Sequence, residues 1–461
     1  MAELIVRGGR IVTANGVRDA DVAIEDGSII AVGRDLDLEA ERTIDATGLL
    51  VFPGIIDAHT HPVYLDDLVS LPVTAAYGGV TTVIHFAYAK PGEGLMDTIH
   101  HFREESESGS VLDFALHGGL FDPANQSHEI PQAIEAGVTS HKMFMTYAKL
   151  GWMTDDYQLM RTMDILGTAG GMAMVHAENG LATDYLQDKT NAAGEDSKDV
   201  FVLTRPAILE AEALHRAIAM AQVGGCPLYI PHMTAALGIL EVARAKALGY
   251  RVYAETCPQY LTLTEQALVE QGPLVKIGPP LRAESDRIAL WQALAEGTID
   301  TIASDHAAKA KVREDDFFDA PYGSPQAETM LPLAFHGGVN KGWLSLSRLA
   351  QVMCENPARI FGLYPQKGVI QPGSDADLVL FDPLRKVQIA HATQHSNASY
   401  TAYEGMEVLG QPVLSMQRGD ILLENGALQA TAGHGQFLPT RSGHASLATL
   451  KFSGNGDGYD K

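Results

Sequence analysis

Apolar and polar positions alternate near the start of the chain, with turn residues between the runs. Leu4-Ile5-Val6, Arg10-Ile11-Val12, Asp21-Val22-Ala23-Ile24 and Ile29-Ile30-Ala31-Val32 each have this form. Side chains with a period of two fall on opposite faces of extended backbone, so these runs read as short strands. The same texture returns late in the chain, at Ala376-Asp377-Leu378-Val379-Leu380-Phe381 and Gly419-Asp420-Ile421-Leu422-Leu423. The two chain ends are therefore predicted to build one small β-domain together. From about residue 431 the sequence is rich in Gly, Ser and His and has little periodicity, as in a tail ordered only by packing on another surface, such as a second subunit.

Between these ends, short apolar strands alternate with segments of helical spacing. Eight strands are read, at 50–56, 80–85, 111–116, 138–144, 171–176, 227–232, 251–256 and 301–304. The clearest helix runs over 206–223, with Ile208, Ala211, Leu214 and Ile218 along one face and Pro206 acceptable in its first turn. Repeated βα units over some 300 residues predict an α/β chain, a (β/α)₈ TIM barrel rather than an open doubly wound sheet. The predicted organisation is a β-sandwich part over 1–52, the barrel over 53–365, the returning sandwich part over 366–430 and a tail over 431–461.

The chain is 461 residues long, 46 % hydrophobic and 20 % charged, enough for one large domain and a smaller one. No apolar run approaches the roughly 20 residues that cross a bilayer. The opening Met-Ala-Glu-Leu-Ile-Val lacks a long apolar core and a cleavage site, so no signal peptide is expected. Cys226, Cys257 and Cys354 are too few and too scattered for a disulfide framework, which suits a reducing cytoplasm. A formal net charge of −24 disfavours nucleic acid and anionic membranes as partners.

Candidate chemistry gathers where the strands end. Asp57-Ala58-His59-Thr60-His61 follows the first predicted barrel strand, and two histidines two apart in extended backbone project to one side, where both rings can reach one ion. Lys142 lies in the fourth strand; His176 ends the fifth, His232 the sixth and Asp305 the eighth. Singly, each has a bland reading: a hydrogen-bonded histidine, a helix-capping aspartate, an ion-paired lysine. Convergence of five strands on one rim, where barrel active sites lie, favours a metal centre. Imidazole suits zinc and other first-row divalent ions, whereas a lysine ammonium has no lone pair to offer. His100 and His101 read as solvated, and His85 and His117 as structural. His306 is open between a positioning role beside Asp305 and a structural one. Cys257 reads as buried structure, since no activating partner is evident.

Taken together, these residues resemble the amidohydrolase superfamily, and within its cyclic amidohydrolases the dihydropyrimidinase/D-hydantoinase group. The segments that carry the resemblance begin with Pro53-Gly54-Ile55-Ile56-Asp57-Ala58-His59-Thr60-His61. They continue through Glu255-Thr256-Cys257-Pro258-Gln259-Tyr260, Pro279-Pro280-Leu281-Arg282 and Asn356-Pro357-Ala358-Arg359-Ile360-Phe361-Gly362-Leu363-Tyr364-Pro365. The last is Gly368-Val369-Ile370-Gln371-Pro372-Gly373-Ser374-Asp375-Ala376-Asp377. The resemblance implies two divalent ions, zinc by preference. His59, His61 and Asp305 would hold one and His176 and His232 the other, bridged by N6-carboxylated Lys142. It implies that Tyr147 helps hold the substrate carbonyl, that the positions of Gly278 and Tyr322 contact the ring, and that the chain forms a homo-oligomer, a dimer or tetramer.

The implied reaction is ring opening of a hydantoin or dihydropyrimidine to an N-carbamoyl amino acid. Two ions would make hydroxide available from a bridging water near neutral pH. The amide oxygen would be polarised by one ion and by Tyr147, and Asp305 would pass the proton to the leaving nitrogen. Departures from the group's pattern touch the ring rather than the metals. Gly278 replaces a serine, Tyr322 stands where an asparagine is expected, and His141 stands where an aromatic commonly precedes the lysine. His61-Pro62-Val63-Tyr64-Leu65-Asp66-Asp67 lacks the arginine of dihydroorotases and is shorter than the usual hydantoinase loop. Allantoin, cyclic imides and lactams therefore remain alternative substrates. A non-catalytic scaffold relative is the alternative of another class, and the full ligand set argues against it.

Overall fold

The computed structural model describes residues 2–194, 198 and 200–441. The amino-terminal alternation folds into β1 (Ala2–Thr13), β2 (Gly16–Glu25) and β3 (Ser28–Gly33), paired antiparallel in order. The runs expected as separate strands at 4–6 and 10–12 are one strand. An irregularity between Val6 and Gly9 lets β1 change partners midway, from β4 (Ala40–Asp45) to β5 (Leu50–Pro53). Gly8 sits there with φ of 72°, a left-handed backbone that glycine adopts without steric cost.

The strand expected at 50–56 is corrected: it is two strands in two domains. β5 stays in the sheet of the chain ends, and the chain crosses at Gly54 into β6 (Ile55–Thr60), the first barrel strand. The crossing is tight, since a Cβ on Gly54 would lie 2.1 Å from Thr81 Oγ1 and 2.8 Å from the Asp377 Cβ. His59 therefore lies inside the strand rather than after it, and His61 is one residue past its end.

Seven further strands follow, at the expected places: β7 (Val80–Ala89), β8 (Asp113–Leu120), β9 (Ser140–Phe144), β10 (Met172–His176), β11 (Leu228–Ile230), β12 (Val252–Thr256) and β13 (Thr301–Ile302). Each pairs in parallel with its sequence neighbour. The seam between first and last is closed by a parallel bridge from Thr60 to His306, with His61 N–H donating to the His306 carbonyl at 2.9 Å. Because β13 is so short, a side chain completes the seam: the Asp57 carboxylate accepts from Ser304 N–H at 2.9 Å. The result is a (β/α)₈ barrel.

The helix expected at 206–223 spans Ala207–Val223, with Pro206 just before it. Ala211, Leu214 and Ile218 are buried as expected, but Ile208 is not; it is 59 % exposed. The buried face is rotated toward Glu210, whose carboxylate meets Arg282 at 2.8 Å and the Thr234 amide at 3.0 Å.

The chain returns in β14 (Leu378–Gln388), antiparallel to β5, followed by β15 (Glu407–Gln417), β16 (Asp420–Glu424) and β17 (Ala427–Leu428). One apolar cluster unites Val6, Ile11 and Ile24 with Leu378, Leu380 and Met416, so the sheet folds over a core drawn from both chain ends, the β-sandwich domain. The described part of the tail packs on this chain's own barrel. Leu438 N–H donates to the Phe114 carbonyl at 2.7 Å and Thr440 N–H to the Gly137 carbonyl at 2.8 Å. The rest of the tail, 442–461, lies outside the described residues.

Candidate metal centre

Parallel strands of a barrel end together at one rim, so residues far apart in sequence meet there. His59 comes from β6 and His61 from the residue just after it, Lys142 from β9 and His176 from the end of β10. His232 and Asp305 come from the turns after β11 and β13. All six converge. His59 Nε2 lies 3.1 Å from His61 Nε2, 3.1 Å from Asp305 Oδ1 and 3.3 Å from Lys142 Nζ. Asp305 Oδ1 is 2.9 Å from His61 Nε2, and Lys142 Nζ is 3.5 Å from His232 Nε2. The rings of His176 and His232 are 4.5 Å apart.

These contacts are not satisfiable as hydrogen bonds alone. An imidazole nitrogen carries either one lone pair or one proton, so His59 Nε2 cannot serve three polar partners at once. A cation among lone pairs would satisfy them together, and His59, His61 and Asp305 form a group able to hold a metal ion. Burial pushes the His61 imidazole down to about 3 and His232 well below its ordinary range, which keeps both rings neutral, the ligating form. Burial opposes the charge of Asp305, but His59, His61 and His232 hold its carboxyl well below the usual range. Lys142 is 1 % exposed, and burial pushes its amine down to about 8, toward the form with a free lone pair.

Two of these positions, and the neighbouring Tyr147, sit on unusual backbone. Tyr147, His232 and Asp305 have φ of 67°, 43° and 52°, among only seven described residues other than glycine in the left-handed region. Such backbone costs about 1–3 kcal/mol per residue and persists where the surroundings enforce it.

Carboxylates behind the clustered histidines fix their rings. His59 Nδ1 faces Glu255 Oε1 at 2.6 Å, and Tyr229 donates to the other Glu255 oxygen at 2.7 Å. His176 Nε2 faces Glu178 Oε2 at 2.7 Å, which leaves Nδ1 for a ligand, and Arg205 holds the same Glu178 oxygen at 2.9 Å. A carboxylate on one imidazole nitrogen sets the tautomer and raises the basicity of the other. Sequence reasoning assigned Glu178, Glu255 and Arg205 no role. Glu178 was within reach of it, since His176-Ala177-Glu178 has the same alternate spacing as His59-Thr60-His61.

The cluster opens into a cavity of about 350 Å³, a size suited to a small molecule. Tyr88, Phe121 and Trp152 stack along one wall, with ring centroids 4.8 and 4.5 Å apart. Tyr147, Gly278 and Tyr322 also line it. No described residue hydrogen-bonds the Tyr147 hydroxyl, and burial keeps it protonated and able to donate. Gly278 has a steric reason: a Cβ there would lie 2.7 Å from Tyr147 Oη and 3.1 Å from the Tyr322 ring. The Tyr322 hydroxyl is held by Arg205 at 3.2 Å.

The other histidines are placed outside this chemistry. His306 turns away from Asp305 toward Asp66, at 2.9 Å, and takes the structural one of its two readings. His85 bonds Thr60 and His117 bonds Ser140 and the Ala58 carbonyl. His141 is buried. Cys257 is buried and its thiol is pushed well up, so it is inert.

The amidohydrolase family model matches residues 50–422 of the chain. The chain is 38 % identical to the D-hydantoinase of Ralstonia pickettii over 95 % of its own length and 99 % of that protein. It is 35 % identical to the L-hydantoinase of Paenarthrobacter aurescens, over 97 % and 100 %. In structure it resembles a dihydropyrimidinase from Brevibacillus agri with a TM-score of 0.92, at 34 % identity over 96 % of this chain and 99 % of the other.

Proposed function

This chain belongs to the amidohydrolase family, and on that premise we propose that it opens a cyclic ureide of the hydantoin or dihydropyrimidine type to an N-carbamoyl amino acid. It is a hydrolase of cyclic amide C–N bonds. The observation that carries the finer reading is the convergence of His59, His61, Lys142, His176, His232 and Asp305 on one cavity that also holds the Tyr147 hydroxyl.

His59, His61 and Asp305 would hold one divalent ion, zinc by preference, and His176 and His232 a second. Lys142, carboxylated on its amine, would lie between the two sets. Such ions, when bound, polarise a carbonyl and make water acidic enough to react near neutral pH. The protein's own groups do the rest. Tyr147 donates to the carbonyl oxygen as charge develops on it. Asp305 accepts the proton of the attacking water and returns it to the leaving ring nitrogen. Glu255 and Glu178 keep the His59 and His176 rings aimed. Tyr88, Phe121 and Trp152 give the ring an apolar wall that excludes water.

Names of both D- and L-hydantoinases occur among the relatives, so overall likeness does not set the enantiomer. Among the described residues no helix is long and apolar enough to cross a membrane. A cytoplasmic homo-oligomer, dimer or tetramer, fits this reading. The test is turnover by zinc-loaded protein of hydantoins, dihydrouracil, allantoin, cyclic imides and lactams. Hydantoins or dihydrouracil should be the best substrates by kcat/KM. A clear preference for allantoin, an imide or a lactam would overturn the assignment.

A further inference from the structure

The cavity carries more positive charge than its chemistry uses. Among the described residues the buried Lys367 and the partly buried Lys246 each have carboxylate partners. Lys276 and Lys309, which line the cavity with His61, His176 and Asp305, have none, and neither has Lys311 behind them. Lys276 is only 1 % exposed and Lys311 3 %. Unpaired ammonium groups taken out of water are costly. Both Lys276 and Lys309 line the cavity, where a bound group can supply the opposite charge.

Their contacts leave donors to spare. Lys276 Nζ gives one hydrogen bond, to the Phe318 carbonyl at 2.7 Å, and rests 4.6 Å from the centre of the Tyr322 ring. Lys309 Nζ lies 3.2 Å over the Tyr64 ring and hydrogen-bonds no described residue. Aromatic faces attract a cation without neutralising it. Each ammonium has three donors, so at least two on Lys276 and all three on Lys309 are uncommitted. Lys311 donates to the Lys276 carbonyl at 3.0 Å, which fixes that backbone. Two carboxylates line the cavity: Asp305, which belongs to the ligand cluster, and Asp319, exposed on the rim and in no salt bridge with either lysine. Lys276 stands two residues from Gly278 and beside Tyr322, so its charge lies next to the positions expected to meet the ring.

We infer that the substrate bears an anionic arm, a carboxylate on the side of the ring away from the scissile amide, which Lys276 and Lys309 bind. This rests on the ring-opening reading above and narrows its substrate class. Burial holds both amines near 8, so they remain largely cationic at neutral pH. The aromatic wall and the two lysines then divide the work, one bounding the ring and the others holding its arm.

A matched pair of racemic hydantoins separates the possibilities, one with a 2-carboxyethyl group at C5 and the other with the isosteric, neutral 2-carbamoylethyl group. With zinc-loaded protein, the carboxylate should be favoured roughly tenfold or more in both kcat/KM and calorimetric Kd. In Lys276→Met and Lys309→Met that ratio should fall toward one. Equal kcat/KM and equal Kd for the pair in the unaltered protein would overturn the anionic arm while leaving ring opening intact. If neither compound is opened, the ring-opening reading fails, and the ratio of Kd values still decides whether the lysines bind an anion. A Lys276→Met protein that loses stability but keeps the ratio would show that Lys276 only anchors the loop at Phe318.

Discussion

At the amino-terminal end of the barrel the buried Lys367 ammonium meets Asp113 at 2.6 Å, Asp377 at 2.8 Å and Asp375 at 2.9 Å. At the opposite end Lys142, equally buried, is in no salt bridge among the described residues; its polar contacts are imidazole nitrogens of His59 and His232 at 3.3 and 3.5 Å. Burial opposes the charge of both. Three aspartates outweigh it at Lys367 and raise that amine, whereas at Lys142 it prevails and the amine falls to about 8. Lys367 is thus a satisfied cation that ties β8 to the returning chain before β14. Lys142 feels the charges of Asp305 and Glu255 without a salt bridge to either among the described residues, and burial outweighs them; it sits among atoms that bind metals. Burial is common to both ends. What separates a structural lysine from a chemical one here is whether its charge is matched.

The comparison is broken most severely by Lys142→Ala. Both ions should be lost by elemental analysis, with turnover falling on the order of 10³-fold or more and partly restored by short carboxylic acids. Retention of two ions would remove Lys142 from the bridge. At the other end, Lys367→Met leaves buried aspartates without their counter-charge. Denaturant titration should show a loss of about 3–5 kcal/mol, while the folded variant keeps its metal content. Tyr147→Phe should lower kcat roughly 10²-fold or more without loss of metal, the cost of one donor to a developing oxyanion. Glu255→Gln weakens the aim of His59 and should reduce metal affinity about 10- to 100-fold in chelator competition.

The smallest effect extends the contrast to Lys311. Burial first, then the nearby charges of Lys276 and Lys309, outweigh Asp315 and hold its amine at about 7, against 10.5 for a free lysine. Between those values the unfolded chain binds a proton the folded chain does not, so stability rises with pH across that window. Lys311→Met should flatten the rise by up to about 1 kcal/mol per pH unit, read from melts at pH 7, 8.5 and 10.

Much of the fold and of the candidate centre is legible in the sequence. Strands such as 171–176 and 227–232 are short apolar runs between turns, and they end on His176 and His232, so one pattern located both the fold and the candidate centre. Where pattern and burial part, legibility stopped. In β4 only Ile44 is buried, and β15 carries Gly410 and Pro412, which disguise a strand. The run at 50–56 is apolar throughout and hides the change of domain at Gly54. Ile208 fits the helical period, but Glu210 takes the buried face through its partner Arg282, which period alone cannot register. Lys276 and Lys309 lie in loops, and only three dimensions show that their charges lack partners.

The proposed function requires six side chains to hold a pair of ions. Anomalous diffraction from crystals of the protein purified with zinc and bicarbonate tests this directly. It should show two zinc peaks per chain, one at His59, His61 and Asp305 and one at His176 and His232, with added density on the Lys142 amine between them. A single peak, or a bare Lys142 amine beside two, would contradict it.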